Sequence, residues 1–142
     1  MANTVYNIAK KKAIDGQFDW ASLDVRVLLI KSTYAVDPDH QFVSDLTPGT
    51  NELSGTGYTR KTMANEATSQ DDAGDRADGD GDDLVWSGIN AGTAQAAVLF
   101  VQVTNDTDSW LIGYVDTGGF PIATNGADLQ ITWNAEGILQ FV

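Results

Sequence analysis

The sequence has no cysteine, a single histidine, and no lysine or arginine beyond Arg76. Without thiols, disulfides, thiolate catalysis and zinc–thiolate centres are excluded. With His40 as the sole imidazole, any Ser-His-Asp arrangement would rest wholly on that residue. No apolar run approaches the roughly 18 residues of a membrane span, and the opening MANTVYNIAKKK lacks the apolar core of a secretory signal. Neither a spanning nor an exported protein is therefore expected. All eight basic residues lie in the first 76 positions beside eleven acidic ones, whereas residues 77–142 hold nine acids and no base, for a formal net charge of −12. A surface of this sign has no means of neutralising phosphates, so a protein partner is expected and nucleic acid is not.

What is present points to one folded domain over residues 1–142. That length is enough for a single core, and 42% hydrophobic with 20% charged residues is the balance of a globular chain. The only good helical pattern is NTVYNIAKKKAIDG. Val5, Ile8, Ala9 and Ala13 recur at helical spacing, Asn3 or Thr4 can cap the start and Gly16 can end it. Lys10, Lys11 and Lys12 then fall on its exposed face near the negative end of the helix dipole.

Short β-type runs follow: VRVLLIK (25–31), YTRKT (58–62), LVW (84–86), AAVLFVQV (96–103), WLIGYVD (110–116), LQITW (129–133) and ILQFV (138–142). The near-continuous apolar character of 96–103 and 110–116 predicts central strands buried on both faces, joined as a hairpin through TNDTDS. Asn125-Gly126 is the strongest short-range signal for a tight turn, and predicts that the C-terminal strands meander. The expected fold is mainly β, a compact antiparallel β-sandwich or barrel with one N-terminal helix. Residues 35–57 read as a long irregular loop of the kind that orders against a neighbour.

Several motifs resemble active sites and fail on inspection. DDAGDRADGDGDD (71–83) looks like a calcium loop, with Asp78, Asp80 and Asp82 at alternate ligand positions. However, Asp83 stands where the EF-hand needs glycine and Ile89 where it needs glutamate. Alternation instead predicts an extended strand edge, with Arg76, Asp78, Asp80 and Asp82 on one side and Ala77, Gly79 and Gly81 on the other. Asp116-Thr117-Gly118 matches the aspartic-protease triplet, but it runs into Gly119-Phe120-Pro121 and reads as a turn. Gly55 and Gly57 are spaced like the start of a phosphate loop, without the further glycine or the helix such a loop requires. Three of the four tryptophans (Trp20, Trp86, Trp110, Trp133) lie in apolar β runs, where burial rather than a sugar platform is expected. No cofactor, metal or catalytic residue is expected.

Whole phrases carry more. ANTVYNIAKKKAIDGQFDW, VRVLLIKSTY, ELSGTGYTRK, DDAGDRADGDGDDLVWSGINAGTAQAAVLF, LIGYVDTGGFPIATNGADLQITW and NAEGILQF cover most of the chain. In that order they resemble a family of small virion structural proteins of tailed bacteriophages. The resemblance implies a non-enzymatic protein that decorates or cements the capsid, with the major capsid protein as partner, a homotrimer at a symmetry site, and a location on the virion surface. A tail or neck component, or a host-surface or glycan-binding module, are the other readings. Lys10, Lys11 and Lys12, with the 35–57 loop, are the expected capsid contacts. The family pattern has bulkier residues where this chain has Gly79 and Gly81, which predicts a locally loosened strand.

Overall fold

The computed structural model describes residues 3–142. Its largest sheet has the order β1 (Thr4–Val5), β9 (Trp110–Val115), β8 (Ala96–Val101), β2 (Val25–Ile30), β3 (Lys61–Thr62), with every pair antiparallel. Its three central strands are apolar at successive positions because both faces are covered. Val27, Leu29, Leu99 and Ile112 enter one cluster, and Leu28, Ile30, Val98 and Leu111 enter the other. A register shift between Leu99 and Phe100 marks a bulge in the β8–β9 pair.

The fold is mainly β with several antiparallel sheets, as the sequence predicts. β1 and β3 are free edges of the five-stranded sheet, so it is open and not a closed barrel. The helix is shorter than its periodicity suggests. α1 spans Asn7–Ile14, and Thr4–Val5 is strand instead, paired with Tyr114 and Gly113 of β9. The edge of β9 offers backbone partners that a first helical turn would forgo, and both residues are β-branched. Tyr6 is fully buried at the junction. Over the described part, residues 3–16 are tied to the rest of the fold by the β1–β9 pairing and by the buried Tyr6 and Ala9.

The expected C-terminal meander is not what forms. β10 (Ile122–Ala123) pairs with β7 (Thr93–Ala94), β11 (Leu129–Ile131) with β6 (Leu84–Trp86), and β12 (Leu139–Phe141) with β5 (Arg76–Asp80). With β8 and β9 at its tip, this is one interrupted antiparallel ribbon folded back at residues 102–109. Asn125-Gly126 does form a turn, with Gly126 at φ 92° and its N–H donated to Ile89 O. The arms of that turn run to different partners. β4 (Ala67–Asp71) completes a three-stranded sheet ordered β12-β5-β4.

The 35–57 segment does not wait for a neighbour. A 3-10 turn at Val43–Leu46 and a single-turn helix α2 (Pro48–Asn51) fold it onto the main sheet, and Val43, Leu46 and Leu53 are buried. Val43 N–H donates to Ser109 O at 2.9 Å and Leu53 N–H to Leu29 O at 2.9 Å.

Candidate interaction surface

The lysine triplet divides. Lys11 forms an ion pair with Asp15. Lys12 donates to Gln17 Oε1 at 2.7 Å and lies 5.9 Å from the Trp110 ring centroid. Lys10 donates only to the neutral Asn7 side chain, at 3.1 Å, and is exposed. Neither Lys10 nor Lys12 has a carboxylate partner among the described residues, but Lys12 lies against Trp110 whereas Lys10 has only Asn7. One turn along, Ile14 is 88% exposed.

The acidic run is the β4–β5 hairpin, with its turn at 72–75. It corrects the expected strand edge, because β5 is the middle strand, paired with β4 on one side and β12 on the other. Arg76 lies 3.1 Å from Asp71, 3.2 Å from Asp78 and 3.4 Å from Glu136, as its position among aspartates suggests. Desolvation opposes ionisation, but the hydrogen bond to Asp78 together with the charges of Asp78, Glu136 and Asp71 outweighs it, and the guanidinium is held above its ordinary range. Asp82 accepts from Asn65 Nδ2 at 2.7 Å and Asp83 from Trp133 N–H at 2.9 Å. Among the described residues no three His, Asp or Glu side chains converge as a metal site needs.

Gly79 does not loosen β5, which pairs on both sides, and Gly81 lies just past its end. A Cβ on Gly79 would lie 3.1 Å from Trp20 Cδ2, and one on Gly81 2.5 Å from Met63 Sδ. The strand gives up side chains so that Trp20 can lie flat on it, with its indole N–H donated to Asp80 O at 2.8 Å. Close approach also explains Gly55 and Gly57. Their Cβ positions would meet Asn90 O at 2.6 Å and Gly88 O at 2.9 Å, across the Thr56–Asn90 bridge.

Asp116 is buried, and its backbone N–H donates to Asn3 Oδ1 at 3.2 Å, while Gly118 and Gly119 have φ of 76° and 109°. The triplet leaves the end of β9, and the chain bends at Gly118-Gly119 before β10, as its context predicts. His40 is not a freely solvated loop residue. Its Nδ1 is 2.9 Å from Tyr34 OH, which is 3.2 Å from Tyr6 OH. Burial, then the bond to Tyr34, drives the Tyr6 phenol far above its ordinary range. All four tryptophans are at most 9% exposed, and those of Trp20, Trp86 and Trp133 donate to backbone carbonyls.

Sequence reasoning missed the Arg60 clasp. The guanidinium grips Glu52 at 2.8 and 2.7 Å and Asp106 at 2.6 and 2.9 Å, and lies 5.5 Å from the Phe100 ring centroid. Tyr58 OH donates to Glu52 Oε1 at 2.7 Å and accepts from Leu29 N–H at 3.1 Å. Hydrogen bonds from Arg60 hold the Asp106 carboxyl below the usual range. The clasp ties the 35–57 segment to the tip of the long ribbon. Arg60 and Asp106 stand 46 residues apart in the chain, and no local pattern connects them.

A cleft of about 500 Å³ opens between the β1–β9 end of the main sheet and β12, lined by Val5, Phe120, Trp133 and Leu139, and one of about 480 Å³ opens at the β4–β5 turn between Asp71, Asp72, Asp75, Arg76 and Phe141. Smaller apolar depressions adjoin the first along β12, where Phe141 is 57% exposed. No protein-family model, no curated protein and no solved structure matches the chain.

Proposed function

We propose that this chain is a structural protein of a tailed-bacteriophage virion that binds the major capsid protein on the outer shell and stabilises it without chemistry of its own. The observation that carries the reading is the run of phage-like phrases, in order over most of the chain. Their distribution in the fold supports it. VRVLLIK supplies β2, ELSGTGYTRK carries Gly55, Gly57 and Arg60, the acidic phrase forms the β4–β5 hairpin, and LIGYV lies in β9. The resemblance thus rests on residues that build a rigid scaffold.

A shell gains stability when a folded module binds across subunit borders, since the binding free energy is added to the assembled state alone. Several copies at a symmetry site, three in the expectation from resemblance, would repeat that gain. The exposed side of α1 is the candidate contact. Deleting residues 2–14 is a poor test, because it removes β1 and the buried Tyr6. Substituting Lys11 by glutamate tests the contact without touching the core, since Lys11 is exposed and pairs only with Asp15.

The deciding measurement is copy number in purified virions by mass spectrometry against the major capsid protein. Near-parity is expected of a decoration protein. A few copies per hundred capsid subunits would move the protein to the tail or neck, and its absence from particles would overturn the reading. The glycan-binding alternative would need exposed aromatic platforms, and the four buried tryptophans do not supply one.

A further inference from the structure

The outer face of the β12-β5-β4 sheet is covered at one end only. Trp20 lies on Gly79, but next along the strands Ala77 is exposed and Phe141, opposite it in register, is 57% exposed. Two adjoining depressions of about 130 and 190 Å³ meet at Phe141, with walls from Val5, Ala9, Phe18 and Leu139. This apolar strip is polarised. Lys10 lines its α1 side, and Ile14 is exposed one turn further on the same helix. Beyond Phe141 the strip opens onto the β4–β5 turn and its carboxylates Asp71, Asp72 and Asp75. Asp71 is paired with Arg76, whereas no cation pairs with Asp72 or Asp75 among the described residues.

We propose that this face is the contact between two copies of the chain, related by a two-fold axis close to Phe141. A two-fold contact presents one patch to itself in reverse. Reversal stacks the two Phe141 rings at the centre and sets Lys10 of each copy against Asp72 and Asp75 of the other. The patch is therefore complementary to itself in charge as well as in apolarity. That feature favours a second copy over an unrelated partner, and it offsets locally the repulsion expected between chains of net charge −12. The contact would also cover an uncharged strand at the rim of the sheet, Leu139-Gln140-Phe141. The assignment gives Lys10 to the contact between copies and leaves Lys11 to face the shell. It does not depend on where the protein resides, so its failure leaves the virion reading untouched.

The test is the mass of the purified full chain by sedimentation equilibrium over a concentration series. Twice the 15.2 kDa of one chain is expected at the upper end. Phe141→Asp is expected to weaken association by roughly tenfold or more, from the loss of apolar burial and the charge introduced. Lys10→Glu weakens it as well, and adding Asp72→Lys to Lys10→Glu restores it. All of these residues are exposed, and near-ultraviolet dichroism checks that the variants fold. If Phe141→Asp fails to fold, the charge-swap pair decides alone. A single-chain mass at every concentration, a three-fold mass, or an oligomer that Lys10→Glu leaves unchanged overturns the proposal.

Discussion

Arg60→Ala is expected to cost about 2–4 kcal/mol of folding stability. The guanidinium makes four hydrogen bonds of 2.6–2.9 Å to two carboxylates from distant parts of the chain. Removing it leaves Glu52, only 12% exposed, with the Tyr58 hydroxyl as its remaining side-chain partner. Breaking a fully buried pair in this way costs about 3–5 kcal/mol. Asp106, however, is 35% exposed and recovers water, which brings the figure down. With a urea m value of about 2 kcal/mol/M, the unfolding midpoint falls by about 1–2 M. The buried tryptophans report the transition by fluorescence. Glu52→Gln should cost more than Asp106→Asn, following their exposures, and Arg60→Lys should not rescue, because an ammonium lacks the fork that holds both carboxylates. A loss of less than about 0.6 kcal/mol on Arg60→Ala would identify the clasp as an ordinary solvated pair and refute the reasoning.

Gly79→Val should destabilise the protein by about 1–3 kcal/mol, because the indole of Trp20 is pinned by its bond to Asp80 O. The same change in a Trp20→Ala background should cost less, and equal losses in both backgrounds would exclude the contact as the cause. Asp116→Asn should leave stability unchanged or raised, since one oxygen of the buried carboxylate has no hydrogen-bond partner and the amide carries no charge to desolvate; a large loss in thermal midpoint would show that its charge matters. Acid should weaken the fold. Asp106, held by Arg60, and Asp45, where the backbone N–H groups of Phe42 and Gln41 overcome the opposing effect of burial, have folded pKa values below the ordinary carboxylate value. Their contribution is fully present above about pH 4–5 and is lost as pH falls through the folded values. Urea midpoints measured from neutral pH downward check the sign, and a midpoint that rises on acidification would refute it.

Much of the architecture is legible in sequence wherever the signal is local. The apolar runs of β2, β8 and β9 announce strands covered on both faces, and the hairpin through 102–109 follows from its turn residues. Gly16, at φ 70°, stops α1 where expected. The candidate surface was only partly visible. The lysines could be placed on an exposed helix face, but which of them keeps a free charge depends on Asp15, Gln17 and Trp110.

The sequence by itself determined a mainly β chain with a short helix, no thiol chemistry and a strongly acidic surface, because composition and residue periodicity act over a few neighbouring positions. Only the tertiary structure decided that the acidic run is a central strand, that β10 and β11 pair with different partners, and that Arg60 joins Glu52 to Asp106. Partner choice between strands is set by which edges are free once the core has packed. Nothing in the order of residues along the chain encodes that until its distant segments meet.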